Sequence, residues 1–143
     1  MRKKSGVRLW NDMNLDWYQL SEEEKIFCGM ERSKAHNKLF RFKQSYNENT
    51  TLFANLVKYC KEEEINFCVI VPPATKYYRN NLNVQFKEKF YETLDCVDGI
   101  IHLLDLFDEV SYEDIDFADA DHLSDSGSFK MTLSVLELLK TLS

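Results

Sequence analysis

The segment Asp119-Ala120-Asp121-His122-Leu123-Ser124-Asp125-Ser126-Gly127 gathers the residue types that acid–base chemistry needs. An Asp three residues before a His on a loop can accept a hydrogen bond from one imidazole nitrogen. That bond fixes the tautomer and stabilises the imidazolium, and it leaves the other nitrogen to act as a base. Asp119 and His122 are therefore the candidate catalytic residues, Asp119 as the orienting acid and His122 as the general base. Leu123 is expected to anchor the loop in the core, Ser124 or Asp125 to cap a following helix, and Gly127 to let that helix's first turn pack against a neighbour. The same spacing also fits a plainer reading, a solvated acidic loop with a helix cap.

Other chemistry finds less in the sequence. Asp119-x-Asp121 starts like a calcium loop, but Leu123, Ser124 and Lys130 stand where an oxygen ligand, a Gly and a Glu are required. A looser cation site among Asp116, Asp119 and Asp121 is generic. The cysteines at 28, 60, 68 and 96 show no paired spacing, so neither a zinc site nor any other metal or cofactor is expected, and four reduced thiols are. A basic run holds Arg32, Lys34, Lys38, Arg41 and Lys43 with His36, Phe40 and Phe42 among them. It reads as a solvated helix face, with His36 at the surface, and no nucleic-acid partner is expected from an acidic chain. His102 reads as a structural strand histidine, and Cys68 as a buried, inert thiol.

The elements that must position the loop follow from periodicity. Ser21-Glu22-Glu23-Glu24 is a capping box, opening a helix that the pattern carries to about Tyr46 with a break near Gly29. Asn49 or Thr50 begins a second helix to about Glu63, with Leu52, Leu56, Tyr59 and Cys60 at helical spacing. Ile65–Val71 is a β-branched apolar run of strand length without late alternation, the pattern of a strand covered on both faces, and Pro72-Pro73 ends it. Residues 74–83 read as a loop carrying Tyr77 and Tyr78. A helix over Val84–Leu94 leads to a second strand, Gly99–Leu104. The connection is long enough for a crossover, so the strands are expected to be parallel. The acidic loop and a final helix, Asp125–Leu142 with Phe129, Leu133, Leu136 and Leu139 as its stripe, complete an α/β pattern in which helices flank a small parallel sheet. Ligands of such sheets bind beyond the carboxyl ends of the strands, here residues 72–83 and 105–124. Residues 1–20 read as an irregular segment with Trp10, Trp17 and Tyr18 as anchors, and residues 21–143 as a single α/β domain.

Composition narrows the class. The 143 residues carry 44% hydrophobic and 29% charged side chains with only four Gly and two Pro, as a single globular domain does and a low-complexity or collagen-like chain does not. No apolar run reaches the ~20 residues of a membrane span. The basic start, Met1-Arg2-Lys3-Lys4, is followed by no apolar stretch, so a signal peptide is not expected and a cytoplasmic location is. The net charge of −6 is local: residues 105–125 hold nine acids and no Lys or Arg.

Asp-x-x-His-Leu followed by Gly, just before a C-terminal helix, resembles the last motif of the SGNH (GDSL-type) hydrolases. It is closest to their acyltransferase-like branch, which includes the D-alanyl transfer protein. The strand ending Val69-Ile70-Val71-Pro72-Pro73, with its Tyr-rich loop, resembles an internal strand of that branch. The resemblance spans about residues 50–143. It implies a partial flavodoxin-like three-layer sandwich, an acyl ester substrate, and Asp119 orienting His122 as base for a serine. The family's serine block is not recognisable here. Ser5 follows no apolar strand, and Ser21, Ser33 and Ser45 sit in helical or capping contexts. Nor do Asn80 and Asn81 have the neighbours of an oxyanion motif, and those donors supply much of the rate in acyl transfer. The expectation is the C-terminal half of such an enzyme, inactive alone. The alternative is a non-catalytic module that pairs through an open sheet edge with itself or with a chain supplying the N-terminal half.

Overall fold

A computed structural model describes residues 16–142. Trp17–Gln19 form a short 3-10 turn. The α-helices are α1 (Glu22–Asn37), α2 (Lys43–Glu62), the single turn α3 (Lys76–Arg79), α4 (Val84–Asp95) and α5 (Asp125–Lys140), and the strands are β1 (Phe67–Val71) and β2 (Ile101–Asp105). The strands pair in parallel, from Phe67 opposite Ile101 to Val71 opposite Asp105. The protein is thus α/β, with a two-stranded parallel sheet among the described residues.

Local chemistry explains the boundaries. The Ser21 hydroxyl accepts from Glu24 N–H while Glu24 accepts from Ser21 N–H, the capping box expected for α1. Helix α1 does not break at Gly29. A Cβ there would stand 2.5 Å from the Tyr77 carbonyl, so the glycine permits α1 to cross α3 closely rather than ending the helix. The interruption comes at the 3-10 segment Lys38–Arg41, and α2 then starts at Lys43, earlier than the Asn49/Thr50 cap expected from sequence. The 74–83 segment is not all loop: Thr75 caps α3, which buries Tyr77 and Tyr78.

The core is displaced from the sheet. Trp17, Ala74, Tyr77, Tyr78, Phe117 and Ala120 form its buried cluster, with Leu20, Cys28, Leu82, Phe107, Tyr112 and Leu123 packed around it. Trp17 meets Tyr77 edge-on at 5.8 Å. Tyr18, expected as an anchor, is exposed, while Trp10 lies outside the described residues. The sheet is not covered on both faces, because Ile70 and Leu103 remain 38% and 39% exposed. Cys68 is accordingly half-buried rather than buried, and all four cysteines are free thiols. On α2, Val57 and Cys60 are buried, but Leu52, Leu56 and Tyr59 are exposed. No helix among the described residues is long and apolar enough to cross a membrane.

Candidate functional site

Residues 117–123 form a tight hairpin between β2 and α5. Phe117 and Leu123 make an isolated antiparallel bridge, closed by Ala118 N–H to His122 O at 2.9 Å and Ser124 N–H to Asp116 O at 2.9 Å. Asp119 sits at the turn and organises it: its Oδ1 accepts the backbone N–H groups of Asp121 (3.0 Å) and His122 (2.9 Å), an Asx-type turn. Leu123 packs against the core cluster, as expected. Ser124 is the N-cap of α5, its hydroxyl accepting from Gly127 N–H. At Gly127 a Cβ would fall 2.0 Å from the Asp116 carbonyl oxygen, so only glycine lets α5 seat against the hairpin.

The hairpin is fixed to the carboxyl edge of the sheet. Thr75, just beyond β1, donates both its N–H (3.2 Å) and its hydroxyl (2.7 Å) to Ala120 O. Asp116, fully buried, anchors the base of the hairpin by accepting from Lys130 Nζ, Ser126 Oγ and Glu113 N–H. Burial disfavours its charge, but those donors outweigh the effect and hold its carboxyl below the usual range.

His122 and Asp119 lie together. The His122 Nδ1 is 3.0 Å from Asp119 Oδ1 and 2.9 Å from Oδ2. Asp119 is partly desolvated, which opposes its charge. The two backbone N–H groups and the imidazole overcome this and lower its pKa. An ionised carboxylate only accepts, so Nδ1 carries the proton and donates.

Sequence reasoning missed three side chains that share this site. Arg32 and His36, one turn apart on α1, have the sequence pattern of a solvated face with His36 at the surface. Instead, Arg32 Nε donates to Asp121 Oδ1 at 2.7 Å. His36 Nδ1 is 2.7 Å from the Tyr78 hydroxyl and 3.9 Å from Asp121 Oδ2. Burial first, then the Asp121 charge, pushes the Tyr78 phenol up to about 12, so the hydroxyl keeps its proton beside His36 Nδ1. Burial and the Arg32 cation push the His36 pKa down, against the opposing pull of Asp121. The available signal was the i, i+4 spacing of Arg32 and His36, which any solvated helix also shows. His102 lies in β2 opposite Cys68, in keeping with a strand histidine.

Asp119, Asp121 and His122 each offer one possible ligand atom within 4.8 Å of the others. All three groups are engaged in hydrogen bonds, Asp121 with Arg32 and Asp119 with the His122 ring. The serine hydroxyls bonded nearby serve the framework: Ser33 Oγ donates to Gly29 O and Tyr78 O, Ser124 Oγ to Ile115 O, and Ser126 Oγ to Asp116. Ser5 lies outside the described residues.

Comparison with known proteins found no match to a family model, a curated protein or a solved structure.

Proposed function

We propose that this chain is an SGNH-type ester hydrolase or O-acyltransferase-like protein, in which Asp119 orients His122 as the general base of a Ser-His-Asp arrangement. One observation carries the reading: the Asp119 carboxylate receives the His122 Nδ1 proton at 2.9–3.0 Å, on a hairpin bonded to the segment just beyond β1. That is the bond a triad uses to fix the imidazole tautomer, at the edge where open α/β sheets bind ligands. In this reading the two strands are part of a flavodoxin-like sandwich, and the substrate is an acyl ester. Ser33, Ser124 and Ser126 are held by framework bonds, so none of these three is an activated nucleophile, and in this reading the chain alone is inactive. Hydrolysis of p-nitrophenyl acetate by the purified chain tests this. The expected rate is background. Rapid hydrolysis abolished by a single Ser→Ala change would overturn the inactivity, whereas its loss on Asp119→Asn would support the dyad.

A second reading is favoured by the exposed stripe Phe129, Leu133, Leu136 and Leu139 on α5. In that reading the chain is a non-catalytic module that associates with itself or with a partner chain through apolar surface.

A further inference from the structure

His122 Nδ1 has two carboxylates within reach. Besides Asp119 at 2.9–3.0 Å, Asp121 Oδ1 stands 3.6 Å away. The Asp121 side chain is only 12% exposed, so water screens its charge poorly. A small rotation would pass the Nδ1 proton to Asp121 and turn the ring away from the Asp119 axis. That Asp121 oxygen already accepts a shorter bond from α1. The Arg32 Nε donates to that same Oδ1 at 2.7 Å, and a guanidinium stays charged at any relevant pH.

Arg32 is itself held in place from outside the hairpin. Gly29, three residues before it on α1, allows the close crossing with α3. Ser33, fully buried, donates to Tyr78 O at 2.9 Å and pins the same turn. His36 also faces Asp121, but its Nδ1 is engaged by the Tyr78 hydroxyl. The charged and titratable groups around Asp121 are thus Arg32, His36, Tyr78, His122 and the Asp119 carboxylate, and of these Arg32 makes the short side-chain bond.

We propose that Arg32 and Asp121 form a positioning pair for His122: Arg32 occupies Asp121 so that Asp119 alone receives the Nδ1 proton. The inference rests on the Asp119–His122 reading and extends it to α1, 89 residues away in sequence from the loop. It makes Arg32 a selector between two competing carboxylates rather than a surface cation.

The test is nuclear magnetic resonance of the full chain labelled with 15N histidine, following the His122 Nδ1 proton at one fixed pH in the wild type and in R32Q, D121N, R32Q/D121N and D119N. R32Q frees a charged competitor. It is expected to move the signal and to speed its exchange with solvent about tenfold, as weakening a charge-assisted hydrogen bond should. D121N removes the competitor and is expected to keep the wild-type signal. The double variant is expected to recover it, which a merely structural role for Arg32 would not produce. Circular dichroism verifies folding, and R32M, which keeps the aliphatic stem and removes the charge, carries the test with the same expected outcome if R32Q unfolds. A signal unchanged in R32Q, lost in D121N, or equally disturbed in R32Q and the double variant overturns the positioning role, while its loss in D119N still upholds the pair beneath. A signal indifferent to D119N overturns that pair and the proposal with it.

Discussion

At the scale of single residues, the site is a balance of burial against hydrogen bonds. Asp116 and Asp119 have depressed carboxyl pKa values. The stability they contribute is therefore present above the ordinary carboxylate value near ~3.9 and lost as pH falls through their lower folded values. His36 is depressed for a different reason, desolvation and the neighbouring Arg32. A histidine held neutral in the fold contributes stability above about 6.5 that is lost as pH falls below that value. Thermal unfolding from pH 7.5 to 5 should therefore show a falling midpoint, and His36→Asn should flatten that fall. An unchanged slope in the variant would mean that another group controls it. Asp119 and His122 were legible because three-residue spacing on a loop is a local signal. Arg32, His36 and Tyr78 were not. Their partner Asp121 is 43 to 89 residues away in sequence, and nothing in a basic helix distinguishes a residue facing solvent from one facing a carboxylate.

At the scale of elements, helix ends were readable and helix faces less so. The capping box at Ser21 and the Ser124 cap are local chemistry. The fully buried residues of α1 are not apolar: they are Lys25, Gly29 and Ser33, with only Cys28 packing partly on the core, while Ile26, Phe27 and Met30 stay exposed. Hydrophobic periodicity has no means of finding such a face. Two substitutions at helix ends follow with opposite sign. Glu64 follows α2 with φ 54°, and the bonds Ile65 N–H to Cys60 O and Glu64 N–H to Lys61 O make a Schellman ending there. Since left-handed backbone favours glycine, Glu64→Gly should stabilise by about 0.5–1 kcal/mol in denaturant titration. Gly127→Ala should destabilise by about 1–3 kcal/mol, because its methyl group meets the Asp116 backbone carbonyl. Insensitivity to it would mean that α5 does not seat on the hairpin as described.

At the scale of the whole molecule, the alternation of helix and strand was legible, and so was the parallel pairing, since β-branched runs and a long crossover leave few alternatives. Coverage of the sheet was not, because an apolar run does not reveal whether anything packs on it. The observed chain keeps Ile70 and Leu103 partly open, and Phe129 on α5 is 65% exposed. The sharpest consequence is concentration-dependent association. Light scattering after size-exclusion chromatography should show a mass above that of a 16.9 kDa monomer that rises with loading. Leu136→Lys should lower it with helix content unchanged. A clean monomer at all loadings would remove the interaction-module reading.

The central claim is that Asp119 holds His122 in the tautomer a general base requires, and the 15N–1H spectrum of the His122 ring in the wild type and Asp119→Asn addresses it most directly. The wild-type ring should show a protonated Nδ1 with a downfield proton, and the variant should lose it. A ring protonated only at Nε2 in the wild type, or a Nδ1 proton unmoved by Asp119→Asn, would contradict the claim.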